Sequence, residues 1–189
     1  GFEISAAWNA MDVYVDEMAV YEYGEIVEEP EAPEFKPVAV ELVNPGFEEN
    51  PSELVVPGWE ASGFGGWAVG TVCTTYPGNW HITNQSLLVH TGAWISQKVE
   101  NLVPGATYKL TANMLSRYAA NVVTMELDML DADGNVVGNE TLDVQFAADL
   151  TTEAFELEAV LPKNCTAVVI KVTNAAESAG WCLVDDFTL

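Results

Sequence analysis

Residues 182–189 read CLVDDFTL, and residues 13–20 carry a similar phrase, VYVDEMAV. Both alternate apolar residues around a central acid, as in a β-strand whose side chains point to opposite faces in turn. Strict alternation predicts that Leu183, Asp185, Phe187 and Leu189 share one apolar face. A carboxylate on such a face is unfavourable unless it is paired or bound to a metal. The repeat therefore predicts two closing β-strands, each with an acid that needs a cation.

Further alternating stretches precede the closing strand. They lie at residues 38–43, 85–90, 93–99, 108–114, 123–129, 155–161 and 168–172. Turn residues separate them, and no segment shows a sustained helical stripe of apolar residues. Many short strands of this kind predict an all-β protein, a β-sandwich of the jelly-roll type.

The chain divides into three segments by composition. Residues 1–23 have strand character and are predicted to be the closing strand of a preceding module or an added strand. Residues 24–37 are acidic and proline-spaced, as in an extended linker. Residues 38–189 hold the remaining strands and form the predicted module. Because an isolated apolar strand exposes its edge, we expect residues 1–23 to pair with a sheet of this domain or of a neighbouring module or copy.

The charge balance limits the partners of the chain. It has 29 acidic residues against 6 lysines and arginines, a formal net charge of -23, while 49% of its residues are hydrophobic. Such a chain has a real core but no basic surface for nucleic acid, and it is repelled by anionic membranes. Most of the acids are expected to serve solubility, and two or three of them to bind calcium.

The three cysteines, Cys73, Cys165 and Cys182, have no metal-ligand spacing. If the last two strands form a hairpin around residues 174–179, Cys182 lies opposite Lys171 and not Cys165. We therefore expect three free, mostly buried thiols.

Several short motifs occur in a characteristic order. They are NPGFEE at residues 44–49, PGW at 57–59, ISQKV at 95–99, LVPGATY at 102–108 and VDDF at 184–187. Together they resemble carbohydrate-binding modules of the family 4, 9, 16 and 22 type over residues 38–189. The resemblance implies a galactose-binding-like β-sandwich.

The resemblance also implies a structural calcium ion that joins the opening turn to the closing strand. The matching ligands are Glu48, Asp185 and the backbone carbonyls of Gly46 and Phe47. Carboxylate and carbonyl oxygens are the ligands that calcium takes. The alternative is that Asp185 caps a loop or accepts backbone N–H bonds. The DADGN sequence of residues 131–135 is instead interpreted as a hairpin turn, since Asp-Gly between alternating strands is typical of one.

Sugar binding, in turn, relies on aromatic rings that stack on the apolar faces of pyranose rings. The candidate rings are Trp67, Tyr76, Trp80, Trp94 and Tyr118, and the candidate hydroxyl partners are Asn113, Arg117 and Gln97. For each ring the alternative is a place in the core, where Trp59 and Trp181 resemble the family's core tryptophans. The family's Arg-Thr motif followed by Trp is not evident, and residues 83–86 (TNQS) stand at its approximate location.

No catalytic motif is evident in the sequence. We therefore expect a non-catalytic module that binds a β-linked polysaccharide, such as plant cell-wall xylan, within a larger secreted bacterial enzyme that degrades glycans. The alternative is a structural or adhesion module of a bacterial cell-surface protein that binds no sugar. The two differ in whether the aromatic rings line one concave face or fill the core.

Overall fold

The computed structural model of the chain describes residues 38–52, 55–62, 71–74, 82–83 and 85–189, with only the backbone for 71–74. The predictions for residues 1–23 and 24–37 lie outside these ranges. Residues 38–189 form one compact unit. A search of the described part of the chain finds no helix with the length and apolar character needed to cross a membrane.

Ten strands build this unit. They are β1 (Glu60–Ala61), β2 (Thr71–Thr74), β3 (Ser86–Val89), β4 (Trp94–Glu100), β5 (Thr107–Ser116), β6 (Val123–Leu130), β7 (Val136–Val144), β8 (Thr152–Val160), β9 (Ala167–Asn174) and β10 (Cys182–Thr188). The strands from β3 onward cover the predicted alternating stretches, with the exception of residues 38–43.

The strands form two five-stranded antiparallel sheets. The front sheet has the order β1-β4-β9-β6-β7, and the back sheet has the order β2-β3-β10-β5-β8. Each strand from β4 to β7 lies in the opposite sheet from its predecessor or forms a hairpin with it, and the closing strand β10 lies in the centre of the back sheet. The predicted β-sandwich is therefore confirmed.

The core lies between the inward faces of the two sheets. Alternate residues of β6 and β9 are almost fully buried, including Met125, Leu127, Ile170 and Val172. Three aromatic rings close one end of the core, where the centroid of Trp59 lies 5.2 Å from that of Phe47 and 4.8 Å from that of Phe187. Trp59 is thus a core residue, as the resemblance implies.

The closing strand departs from strict alternation. Cys182, Val184, Phe187 and Leu189 face the main core, whereas Leu183 belongs to a separate cluster on the outward side of the back sheet. The change of face follows a register shift after Asp185, where Asp186 has a left-handed backbone with φ 49°. The prediction that Leu183, Asp185, Phe187 and Leu189 share one face is therefore wrong, because this bulge inserts an extra residue.

The segment at residues 38–43 is not a strand, contrary to the alternation of its sequence. The N–H of Val40 donates to the Leu189 carbonyl at 2.8 Å. Val43 lies so close to Gly58 that a β-carbon at position 58 would meet the Val43 side chain at 2.5 Å. Gly58 also has φ +79°, a conformation that favours glycine. The PGW motif therefore secures this segment to the core.

Two predictions about connections have opposite outcomes. The Asp131–Asn135 turn is confirmed, because it joins the antiparallel strands β6 and β7, and Asp131 Oδ1 accepts the N–H groups of Asp133 and Asn135. The predicted hairpin around residues 174–179 is wrong, since this connection crosses from the front sheet to the back sheet.

Cys165 and Cys182 are buried free thiols, and Cys182 pairs with Val89 and Ser116.

Candidate functional site

The outward side of the front sheet is a broad solvent-facing surface, here called the open face. Inward and outward residues alternate along β6, so Thr124, Glu126 and Asp128 point away from the core. Strand pairing places their outward neighbours beside them in three rows. These rows are Trp94-Thr173-Thr124-Asp143, Glu60-Ser96-Lys171-Glu126-Thr141 and Lys98-Val169-Asp128-Asn139. The open face is therefore mostly polar, with one tryptophan in its first row.

Trp94 begins β4 and is half-buried, while the next residue, Ile95, is fully buried in the core. Its backbone is fixed by Ser62, because the Trp94 N–H donates to Ser62 Oγ at 3.1 Å and the Ser62 N–H donates to the Trp94 carbonyl at 3.0 Å. The indole thus lies on the open face on a rigid strand end. A held aromatic surface beside polar side chains is suited to stacking on a sugar ring.

A polar network crosses three strands of the open face. Asn139 Nδ2 donates to Glu126 Oε1 at 2.9 Å and to Asp128 Oδ1 at 2.8 Å. Lys171 Nζ lies 3.3 Å from Glu126 Oε2. The network fixes two carboxylates side by side on the sheet surface. Glu126, Asp128, Asn139 and Lys171 are absent from the sequence-based candidates. What these four residues share in the sequence is a polar side chain at an outward position of β6, β7 or β9.

Gln97 points inward and has a structural role. It is 4% exposed. Its Oε1 accepts the Val43 N–H at 3.0 Å, and its Nε2 donates to the carbonyls of Val43 at 2.8 Å and Gly58 at 3.1 Å. The amide thus substitutes for strand pairing along residues 38–43. The structure does not support Gln97 as a sugar ligand, because its side chain is buried and engaged with the backbone.

The other described candidates lie apart from the open face. Asn113 lies on the outward side of the back sheet, where its Nδ2 donates to Asp186 Oδ2 at 3.1 Å. Arg117 and Tyr118 follow β5 at the sandwich end, with the guanidinium carbon 5.3 Å from the Tyr118 ring centroid. Both side chains pack against Gly180. The structure thus brings Arg117 and Tyr118 together, and it leaves Trp94 and Asn113 on opposite sheets.

Three candidate rings, Trp67, Tyr76 and Trp80, lie outside the described residues. The segment that carries Trp67 follows Ser62, the residue that pairs with Trp94. Its assignment to sugar binding stays a prediction.

The opening turn and the closing strand meet at a cluster of carboxylates. A side chain at Gly46 would begin 3.4 Å from Asp186 Oδ1 and 3.8 Å from Asp185 Oδ1, with the Glu48 side chain 4.0 Å away. The N–H of Phe187 donates to the Pro45 carbonyl at 3.1 Å. The predicted meeting of the residue 44–49 turn with the last strand is therefore seen.

Asp185 is fully buried within this cluster. Its Oδ2 accepts hydroxyl bonds from Thr83 at 2.6 Å and Ser86 at 2.9 Å, and its Oδ1 accepts the Asp186 N–H at 2.8 Å. Burial raises the pKa of Asp185 to about 6, although the hydrogen bonds from Thr83, Ser86 and Asp186 oppose the shift. These donors are what the alternative assignment of Asp185, as an acceptor of loop hydrogen bonds, predicts.

The remaining predicted calcium ligands have mixed environments. Glu48 Oε1 accepts from the Gln85 N–H at 3.0 Å and lies 3.1 Å from Thr83 Oγ1, whose single proton is donated to Asp185. The Phe47 carbonyl accepts from Asn50 Nδ2, while its ring is in the core. Within the described ranges, no three acidic, histidine or cysteine side chains are grouped so that they could hold a metal ion.

Comparison with known proteins identifies the fold. The sequence matches no family model and no curated protein. Two carbohydrate-binding modules have similar structures. A family 22 xylan-binding domain from Paenibacillus barcinonensis Xyn10C is 14% identical with a TM-score of 0.52, over 76% of this chain and 88% of its own. The module TmCBM61, solved with β-1,4-galactotriose, is 22% identical with a TM-score of 0.50, over 77% and 94%. The chain has the fold of these modules.

Enzymes share this fold as well. A cyclase from Fischerella sp. TAU is 13% identical with a TM-score of 0.60, over 80% of this chain and 96% of its own. The active domain of bacteriophage CBA120 tailspike protein 4 is 15% identical with a TM-score of 0.56, and the chain spans only 21% of it. The resemblance to carbohydrate-binding modules is thus confirmed for the fold, which alone specifies no chemistry.

Proposed function

We propose that this chain is a non-catalytic module that binds a β-linked polysaccharide on the open face. The observation that carries the proposal is the open face itself, where Trp94 lies on the same surface as two fixed carboxylates and an amide. An indole ring suits the C–H face of a pyranose, and carboxylate oxygens accept hydrogen bonds from sugar hydroxyls. The choice of a β-linked ligand follows two proteins of the same fold, one a xylan-binding domain and one solved with β-1,4-galactotriose.

Affinity electrophoresis in gels that contain xylan, β-1,4-galactan, β-glucan or mannan tests this proposal. We expect one of them to retard the wild-type chain. Replacing Trp94 with alanine should weaken that retardation about tenfold, as stacking losses of about 1–1.5 kcal/mol do. Asn113→Ala is the matched control on the opposite sheet, and it should retain wild-type retardation.

The outcomes separate the two function classes. Equal retardation of wild type and Trp94→Ala would place the site elsewhere. Absence of retardation by every gel would favour the alternative, a structural or adhesion module of a bacterial cell-surface protein.

The proposed setting is a secreted bacterial enzyme that degrades glycans. The tailspike match supports this setting, because there the same fold forms a fraction of a larger enzyme chain. A weak sugar-binding module keeps an attached catalytic domain near an insoluble substrate by raising its effective concentration. Fusing this chain to a glycanase should therefore raise activity on the insoluble glycan that retards it, and leave activity on soluble oligosaccharides unchanged. Equal activity of the fused and unfused enzyme on both would contradict this role.

We also propose that calcium binds between Glu48 and Asp185 in a structural role. Support comes from Thr83 Oγ1, which lies 3.1 Å from Glu48 Oε1 and 2.6 Å from Asp185 Oδ2, because a divalent cation would offset the repulsion between two carboxylates this close together. Calcium should raise the melting temperature of the wild type by several degrees over chelator, and it should have no effect on Asp185→Asn. Equal melting temperatures of the wild type with calcium and with chelator would leave Asp185 as an acceptor of hydrogen bonds alone.

A further inference from the structure

At the centre of the open face the carboxylates offer hydrogen-bond acceptors to a ligand, while the neighbouring amide and ammonium donors already bond to those carboxylates. Asn139 turns its amide nitrogen toward Glu126 and Asp128, at 2.9 and 2.8 Å. Both carboxylates are only partly buried, so they remain within reach of a ligand. An ionised carboxylate accepts hydrogen bonds and donates none. The centre of the face is therefore complementary to a ligand that brings its own O–H groups.

Both lysines of the open face are already engaged by carboxylates on the same face. Lys171 Nζ lies 3.3 Å from Glu126 Oε2, and Lys98 Nζ lies 2.7 Å from Glu100 Oε1. A ligand carboxylate would have to compete with these acids for each ammonium. Such an exchange contributes little to the binding free energy, since it replaces one ion pair with another.

Further acids flank the network without a basic neighbour. Asp143 lies beside Thr124 on the edge strand β7, and Glu60 lies beside Ser96 on the opposite edge strand β1. Both are exposed, and neither forms an ion pair within the part of the chain that the structure describes. Among the described residues, the open face carries five acids (Glu60, Glu100, Glu126, Asp128 and Asp143) against Lys98 and Lys171, so its charge is net negative.

From these contacts we infer that the open face selects uncharged polysaccharides and rejects those that carry carboxylate sugars. The inference rests on the proposed function. A neutral glycan presents hydroxyl donors to the Glu126 and Asp128 oxygens. A uronic acid replaces one of those hydroxyls with a second acceptor that carries the same charge as the protein. Both the hydrogen-bond pattern and the Coulomb interaction then oppose binding.

Two derivatives of one polysaccharide test the inference. The neutral glycan that binds best in the gel screen is converted to a carboxymethyl form and, at equal degree of substitution, to a hydroxyethyl form. The two side groups are similar in size, and only the first is charged. We expect the carboxymethyl form to bind at least fivefold more weakly than the hydroxyethyl form in 20 mM salt, and this gap to narrow in 500 mM salt as screening increases.

The double variant Glu126→Gln, Asp128→Asn adds a second measurement. Removing two charges and freeing Lys171 should raise the ratio of carboxymethyl to hydroxyethyl affinity about threefold or more, whatever happens to the absolute affinities. Thermal unfolding of the variant checks that it is folded. Lys109→Gln, on the outward side of the back sheet, is the matched control that should leave this ratio unchanged.

The outcomes distinguish the inference from the proposed function. If the carboxymethyl form binds as well as the hydroxyethyl form, the selectivity is wrong while sugar binding stands. An unchanged ratio in the double variant would likewise exclude Glu126 and Asp128 as its source. If no polysaccharide binds, neutral or charged, the proposed function fails and the inference fails with it.

Discussion

The two outward faces of the sandwich differ although both sheets have five strands. On the open face of the front sheet, polar side chains meet solvent. The outward side of the back sheet, here called the covered face, instead holds a second apolar cluster. Leu88, Leu115, Trp181 and Leu183 are buried there, with Ile82 and Leu150 packed against them. The covered face also buries Asp185.

The difference shows how one fold divides stability and binding between its faces. Ile82 and Leu150 pack over part of the back sheet, so that the outward residues Leu88, Leu115 and Leu183 behave as core there. Thr83 and Ser86 donate hydrogen bonds to Asp185 beside them. In the front sheet, the outward polar residues of the central strands β6 and β9 are partly exposed, namely Thr124, Glu126, Asp128, Lys171 and Thr173. Substitutions in the buried cluster of the covered face should therefore change stability, and those on the open face should change ligand binding.

The largest expected effect is that of Leu183→Ala on the covered face. Leu183 is fully buried in the second cluster. Its truncation should lower the free energy of unfolding by about 3 kcal/mol, because lost burial and an unfilled cavity add together. Urea unfolding measures the change.

Val169→Ala is the matched control for this substitution. Val169 lies on the open face between Lys98 and Asp128 and is half-buried. Its truncation should lower the free energy of unfolding by less than about 1 kcal/mol, since little burial is lost. If both substitutions had the same effect, the distinction between a covered and an open face would not hold.

A smaller effect concerns Asp185 and pH. Its pKa of about 6 in the folded protein exceeds the value of about 3.9 expected in the unfolded chain. Between these values the folded state binds the proton more tightly, so the free energy of unfolding should increase as the pH falls from 7 to 4. The contribution of Asp185 to that increase is about 2 kcal/mol. Below about pH 3 the contribution of Asp185 stays constant, because its carboxyl is then protonated in both states.

The variant Asp185→Asn isolates this contribution from that of the other acids. The wild type should gain about 2 kcal/mol more than the variant between pH 7 and pH 4, as measured by urea unfolding. Chelator is present in every sample, since a bound cation would favour the ionised carboxylate. Parallel pH profiles for the two proteins would show that the buried carboxyl is ionised without penalty.

The sequence predicted the strands well, because alternation records which residues face the core. It placed β4, β5, β6, β8 and β9 within a few residues of their observed bounds. It failed where a local backbone change reverses that alternation. The bulge at Asp186 turns Phe187 and Leu189 toward the core, and no residue in the VDDF motif signals a positive φ at a particular aspartate.

The candidate site was harder to predict, because it depends on pairing between distant strands. Glu126 and Asn139 are brought together by the β6–β7 register, and Lys171 joins them from β9. Residue type alone favours aromatic rings and amides as sugar ligands. By that criterion Gln97 is a candidate, but its amide bonds buried backbone groups instead. Only Trp94 of the described candidates lies on the open face. A register derived from the Asp-Gly turn would have placed Asn139 beside Asp128.

The smallest expected effect on stability is that of Asn139→Ala, and it tests the comparison most finely. Asn139 lies on the edge strand β7 and bonds two partly exposed carboxylates. Its loss should lower the free energy of unfolding by less than about 1 kcal/mol, since water replaces exposed hydrogen bonds. Glycan affinity should nevertheless fall several-fold, because Glu126 and Asp128 are then no longer held side by side. Thr111→Ala on the back sheet, which removes an exposed hydroxyl contact to Thr188, should change neither quantity by as much. A large loss of stability in Asn139→Ala would instead show that the network stabilises the folded protein, and it would contradict the view that the open face is organised to bind a ligand.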